Sequence, residues 1–376
     1  MKVTVTRTRR WVVGAATLGL LAATAACGSS SGSGDEEKVT LKFTTQYGPG
    51  SFFADSQERW MKDVEELSGG TVEFRPFWSG SLVGAAEALQ GVQQGRADLG
   101  FVAQPYFTAE LPLSNASYLP QFDTDAAAIV QAYAELHETN ELLQAEWADQ
   151  NLVPLAWNPV VPMGLGSREP IESIDDFDGL TVRSSGSQSL GYEAMGAGTA
   201  AIASEETYEA LQRGTVDAWA GLTIDGTASM GFPEVAPHLL AFPEFYSSIA
   251  TPIAINKETF EELTQEQQDA MREASENYHE YSIEMAMEYE EKGCQQYLAA
   301  GGSVSQLDDD ERERWMSEVE DDMSDAWYES TAESSLSRED LESFVTDLEA
   351  AVEKFSADSP YVDGFVACLE AQDGSS

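Results

Sequence analysis

The chain is predicted to be an α/β protein of two lobes spanned by one long helix. Three observations predict this. Strand-like and helix-like segments alternate over residues 39–160, and the alternation starts afresh over 161–247. A single helical pattern then runs from Thr264 towards Leu298. At about 1.5 Å per residue, those roughly 35 residues make a helix near 50 Å, longer than one small domain needs.

The elements follow in order. Val39, Leu41 and Phe43 alternate as in a half-buried strand, and "YGPGS" turns the chain. Residues 52–68 place Phe53, Trp60, Val64 and Leu67 on one helical face, stopped by Gly69 and Gly70. "TVEFRPF" is a second strand, 82–95 a helix through Leu89 and Val92, and "ADLGFVA" a third strand. Short joins make this a parallel sheet with helices on its faces. Ligands sit at the carboxyl ends of such strands. Here those ends carry Gln46 and Tyr47, Phe77 and Trp78, and Ala103 and Gln104. One helix is expected over 125–149 and a strand over "LVPLAW"; "VVPMGL" starts another where the chain crosses to the second lobe. "GLTVR", "TAAIA" and "TVDAWA" are strands, separated by helices over 187–196 and from Ser204 to Gly214. "SIATPIAIN" (248–256) returns to the first sheet. "TQEQ" (264–267) is a capping box that opens the long helix. A coiled coil is the rival for that helix, but strict heptads are not kept. Two acidic amphipathic helices follow over 308–330 and 337–355. The expected organisation is a signal segment (1–26), a tether (27–38), lobe I (39–160 with 248–285) and lobe II (161–247 with 286–376).

Composition bounds the function. Sixty-six acids face 20 Lys and Arg, a formal charge of −46. That makes nucleic acid a poor partner, because phosphate binding needs clustered cations. It is otherwise a solvated surface, and no ligand follows from it. "MKVTVTRTRR" and the apolar "WVVGAATLGLLAATAA" form an export signal, too short to be a spanning helix. "TAAC" before a Gly/Ser run resembles a lipobox, which implies that Cys27 carries a lipid anchor to the outer face of the membrane. Ordinary cleavage after "ATA" is the alternative. Cys294 and Cys368 are the remaining cysteines, a possible disulfide in an exported protein; sequence leaves their distance open.

Chemistry is sparse. His137, His238 and His279 have no metal-ligand spacing, so neither a metal nor a cofactor is expected. Gly28 to Gly32 matches GxSxG without the strand and helix a nucleophile elbow needs. Among 66 acids a carboxylate pair is always available, so a secreted glycan-acting enzyme stays an alternative without a residue to its name. Arg183 stands out. It ends the apolar "GLTV" run and precedes the small, polar "SSGSQS". A guanidinium there can grip an external carboxylate with two parallel hydrogen bonds. An internal pair with Asp217 or Glu193 fits the spacing equally well.

Residues 41–103 ("LKFTTQYGPGSFF…DLGFVA"), "PIESIDDFDGLTVRSSG" and "EETYEALQRGTVDAWAG" together resemble the DctP-type solute receptors of TRAP transporters over roughly 39–330. The resemblance implies a periplasmic-binding-protein-like fold and a monomeric receptor without enzymatic activity. It would close on a small organic acid, dicarboxylates among them, and hand it to a membrane permease. It also implies that Arg183 pairs with the ligand carboxylate, with Gln46 and Gln104 as polar contacts and Trp219 as an aromatic wall. Tyr47, Trp78 and Glu87 flank the cleft by the same reasoning. A receptor for an ABC importer is the mechanical alternative. Two positions depart from the sialic-acid-type members: Met163 stands where they carry a second arginine, and Gly221 where many carry an asparagine. The acidic extension beyond 330 is longer than the family core needs.

Overall fold

The computed structural model describes residues 38–119, 125–184, 188–202, 204–243, 245, 248–331 and 336–374. The expected signal segment, Cys27 and all of the tether but Lys38 lie outside these residues. So do residues 185–187, which follow Arg183 closely.

The first part of the chain runs β1 (Val39–Thr44), α1 (Phe52–Leu67), β2 (Val72–Phe77), α2 (Ala88–Gln93), β3 (Leu99–Phe101), α3 (Ala126–Thr139), α4 (Glu141–Asp149) and β4 (Leu152–Val160). The middle runs β5 (Gly164–Ser167), β6 (Thr181–Arg183), α5 (Gln188–Ala194), β7 (Gly198–Ala200), α6 (Ser204–Arg213), β8 (Ala218–Leu222), α7 (Ile224–Ser229) and β9 (His238–Ala241). The last part runs β10 (Ile249–Asn256), α8 (Lys257–Glu262), α9 (Gln265–Ala299), β11 (Val304–Gln306), α10 (Asp309–Ser330), α11 (Arg338–Ser356) and α12 (Gly364–Gly374).

Two sheets result. The first has the order β2-β1-β3-β10-β4: β1 pairs in parallel with β2 and β3, and β10 returns antiparallel between β3 and β4. The second has the order β11-β9-β5-β8-β6-β7, with β6 parallel to β7 and β8. The fold is therefore α/β and two-lobed. Short strands such as "HLLA" (β9) and "VSQ" (β11) give too few alternations to be read from sequence, and neither was expected.

Helix α9 opens on the expected capping box: Thr264 Oγ1 accepts from Gln267 N, and Gln267 Oε1 accepts from Thr264 N. Met271, Ala274, Tyr278 and Tyr281 pack into the core beneath the first sheet, whereas Cys294 and Tyr297 pack into the core of the second. One rod thus serves both lobes. The expected helix over 125–149 is two helices. Asn140 ends α3 with extended backbone and caps α4, its Oδ1 accepting from Leu142 N and Leu143 N. The helix expected over 82–95 is shortened to a 3₁₀ turn and α2, behind Gly84.

The acidic extension does not stay with the second lobe, to which the sequence reading gave all of 286–376. In α10, Trp315 and Val319 lie in the second core and Trp327 in a first-lobe core. In α11, Leu341, Phe344, Val345 and Leu348 lie in that first-lobe core beside Tyr133 of α3. The chain then recrosses: Phe365 and Cys368 of α12 enter the second core. An amphipathic face shows that a helix docks, but not on which lobe.

A buried acid gives a pH prediction. Glu146 accepts from Leu113 N (2.6 Å), Ser114 N (3.0 Å) and Ser114 Oγ (2.5 Å). Burial outweighs these bonds and pushes its carboxyl up to about 7. A carboxyl whose folded pKa is raised contributes stability that is full below the unfolded value and is lost as pH rises through the folded one. Between about pH 4.5 and 7 the wild-type chain should therefore lose on the order of 3 kcal/mol more stability than a Glu146→Gln variant. Urea midpoints at pH 4.5 and 7.5 measure this; parallel curves for the two chains would refute it.

Candidate functional site

Strand β6 ends at Arg183, which is 7% exposed. Its Nε donates to Ile202 O (2.9 Å), its Nη1 to Ala220 O (2.8 Å) and its Nη2 to Ser204 Oγ (3.4 Å). These three acceptors are carbonyl and hydroxyl oxygens, and they fix the orientation of the guanidinium. The two carboxylates that spacing offered as internal partners are engaged elsewhere. Asp217 Oδ2 accepts from Thr181 N (2.9 Å), with Oδ1 3.9 Å from Arg168. Glu193 Oε1 accepts from Thr199 Oγ1 (2.6 Å).

Gly221 borders the same place. Its φ is +70°, and a Cβ there would lie 2.8 Å from Gln188 Oε1 and 3.8 Å from Arg183 Nη1. Glycine therefore permits the backbone turn after Ala220 and lets Gln188 Oε1 pack close beside it. Gly221→Ala should weaken solute binding by about tenfold through strain and displacement of Gln188. Calorimetry on the variant checks this; an unchanged affinity would show that neither the turn nor Gln188 bears on binding.

Trp219 pairs in register with Arg183 but is fully buried. It packs against Phe232 (6.0 Å between ring centroids) and Tyr297 (6.5 Å), and its indole covers Gly166, where a Cβ would lie 2.5 Å from Nε1. It is a core residue here, not an exposed aromatic wall. A tryptophan in a β-strand fits either reading, and only packing separates them.

On the first sheet, Gln46 and Tyr47 follow β1. The Gln46 Oε1 is buried and has no hydrogen-bond partner among the described residues. Tyr47 stacks on Phe53 (4.2 Å, 18°) and meets Phe101 edge-on (5.3 Å). Burial raises its hydroxyl pKa; the Gln46 side chain opposes this by hydrogen bonding, and Tyr106 and Asp225 add to it. Gln104 is used internally: its Nε2 donates to Ser114 O (3.3 Å) and Ala250 O (2.9 Å), and its Oε1 accepts from Thr251 Oγ1 (2.9 Å). Those bonds fix the end of β3 to β10 and account for both ends of the amide. Trp78 lies against Phe43 (6.4 Å) at the edge of the first core. Glu87 is exposed and pairs with Arg96 (3.2 Å), which sets it in solvent. Of the residues named from sequence, Gln104 and Trp219 are engaged inside the lobes and Glu87 in solvent, whereas Gln46 Oε1 has no partner among the described residues.

Two residues there were missed. Asp225, in the first turn of α7, lies close enough to Tyr47 and Tyr289 to raise both hydroxyls. Tyr289 of α9 donates to Asp55 Oδ2 (2.5 Å) and meets Phe52 (6.1 Å). Asp225 is one acid among 66, and Tyr289 reads as one more residue of a helix face. No sequence signal marks either.

The model of bacterial extracellular solute-binding protein family 7, DctP, matches residues 43–330. The chain belongs to this family. As a DctP-family member it is a TRAP-type solute-binding protein, and all but the first two of the residues quoted for the resemblance fall within the matched span. It is 28% identical over 294 residues to the ectoine-binding periplasmic protein TeaA of Halomonas elongata, covering 76% of this chain and 83% of that one. It is 25% identical over 305 residues to the C4-dicarboxylate-binding periplasmic protein DctP of Rhodobacter capsulatus, covering 77% and 87%. Among solved DctP-type folds, a TRAP solute-binding protein from Rhodoferax ferrireducens in complex with copurified benzoate superposes with a TM-score of 0.73. The identity is 22%, over 84% of this chain and 98% of that one.

The disulfide left open by sequence is formed: Cys294 of α9 bonds to Cys368 of α12. The histidines take structural contacts. His279 Nε2 accepts from Trp157 N (3.1 Å), His238 Nδ1 meets Ser303 Oγ (2.9 Å), and His137 lies edge-on to Trp157 (6.3 Å).

Proposed function

We propose that this receptor captures a small organic acid between its lobes by pairing the solute carboxylate with Arg183, and delivers it to a TRAP membrane permease. One observation carries the reading: a nearly buried guanidinium at the carboxyl end of a strand, oriented by Ile202 O, Ala220 O and Ser204 Oγ. A buried cation of this kind is matched best by a planar, bidentate anion. The names of relatives agree in chemistry. They bind C4-dicarboxylates and 2-oxoacids, and solved structures of the fold hold glucuronate, pyroglutamate and benzoate.

Closure of the lobes brings Gln46 and Tyr47 towards the solute from the other side, so the solute stabilises the closed state by touching both. In this reading the chain is tethered by lipid on Cys27, which keeps it beside the permease, and acts by binding without turnover. A thermal-shift screen of organic acids tests the reading directly. At least one carboxylate should raise the melting temperature of the wild-type chain, and not of Arg183→Ala. A shift produced only by solutes without a carboxylate would overturn it.

A further inference from the structure

The order of the two sheets needs three connections between the lobes: the one from β4 to β5, the one from β9 to β10, and α9. The chain has two more. Helix α10 passes from the second core, at Trp315 and Val319, to a first-lobe core at Trp327. Residues 357–363 then carry the chain back from α11, docked on the first lobe, to α12, docked on the second.

This return is short and tied on both sides. On the first lobe, Ser359 Oγ donates to Asp125 Oδ1 (2.9 Å) at the start of α3. Beyond it, the Tyr361 hydroxyl donates to the Glu290 carboxyl of α9 (3.1 Å), and a Cβ on Gly364 would lie 2.4 Å from Glu290 Oε1. One turn further along both helices, Cys294 bonds to Cys368. The two contacts advance together, so α12 lies along α9 in the same direction. Between the ties there is little slack. Ser359 and Tyr361 are partly buried while Pro360 and Val362 are exposed, the alternation of an extended segment. Pro360 keeps the residue before it extended. From Ser359 to Asp363 the backbone reaches at most about 14 Å. The Tyr361 ring packs where the other connections cross. Its cluster holds Val160 and Val161 at the end of β4, Ile249 at the start of β10, and Ile283 and Ala286 of α9.

We propose that residues 357–363 are an interlobe strap that limits how far the lobes open. This rests on the closing motion proposed above and names what restrains it. An opening that carried Asp125 away from Glu290 would draw the segment taut and break the Ser359 or the Tyr361 bond. The disulfide keeps α12 from yielding instead. The unliganded chain is thereby held near its closed state, and a solute spends less of its binding energy on closure.

The test lengthens the strap in the whole chain, by inserting Gly-Ser-Gly-Ser between Ala357 and Asp358. The docked faces of α11 and α12 are untouched, and the longer connection should move the melting temperature by no more than about 2 °C. Spin labels on non-cysteine residues at two exposed positions, Lys62 of α1 and Arg213 of α6, report the distance between lobes by pulsed EPR without solute. Lengthening should shift these distances upward and broaden them. Ser359→Ala/Tyr361→Phe, which removes both ties and keeps both helices, should do so in part. The proposal is overturned if a lengthened chain that melts like wild type keeps the wild-type distances, or if its distances shorten. A lengthened chain that melts far lower, with wild-type distances in the double variant, overturns it as well, since the segment then only packs. The two readings fail separately. Saturating succinate, pyroglutamate and benzoate leaving the wild-type distances unmoved counts against the solute reading, whereas the strap is judged on the solute-free shift alone.

Discussion

Arg183→Ala should reduce solute affinity by roughly two to three orders of magnitude, about 2–5 kcal/mol, without unfolding the chain. The cost arises because a solute carboxylate would be desolvated on closure with no cation to meet it. Arg183→Lys should recover only part of it. An ammonium cannot hold Ile202 O and Ala220 O and present a planar fork at the same time. Removing the guanidinium also leaves those two carbonyls without their donor, about 1 kcal/mol each in the unliganded protein. Melting curves without solute therefore accompany the titrations, and the affinity loss should far exceed any loss of stability. Calorimetry giving a dissociation constant within about threefold of wild type would sink the assignment of Arg183.

The second large effect concerns Cys294 and Cys368, which close a loop with a sequence separation of 74. Loop-closure entropy for that length gives about 4 kcal/mol. The double variant Cys294→Ser/Cys368→Ser should melt roughly 5 °C lower, and reduced wild-type protein should match it. Besides the bond, α12 depends on Phe365, which fills the space over Gly164; a Cβ there would lie 2.2 Å from its ring. The disulfide holds α12 to the second core after α11 has docked on the first, so its removal should also speed proteolysis near residue 360. Melting temperatures that are the same with and without reductant would show that packing alone suffices.

Both predictions rest on residues that sequence singled out, but with different force. Arg183 stood out as a cation ending an apolar run, but spacing allowed an internal pair equally well, and the family resemblance decided between them. The disulfide was only one of two open outcomes, since nothing in a spacing of 74 fixes where α12 docks. Gln104 and Trp219 were named as ligand contacts because the family resemblance implies it. The fold turns the amide of Gln104 onto Ala250 and Thr251, and the indole of Trp219 into the core.

Sequence by itself determined the class of fold, the long helix with its capping box, the family and the candidate arginine. These are local facts: periodicity, caps and short motifs act between residues a few positions apart. Tertiary structure alone decided that α11 returns to the first lobe, that the two cysteines meet, and that Gln104 and Trp219 are engaged inside the lobes. Such facts depend on side chains from distant segments competing for the same partners, and no local pattern records the outcome of that competition.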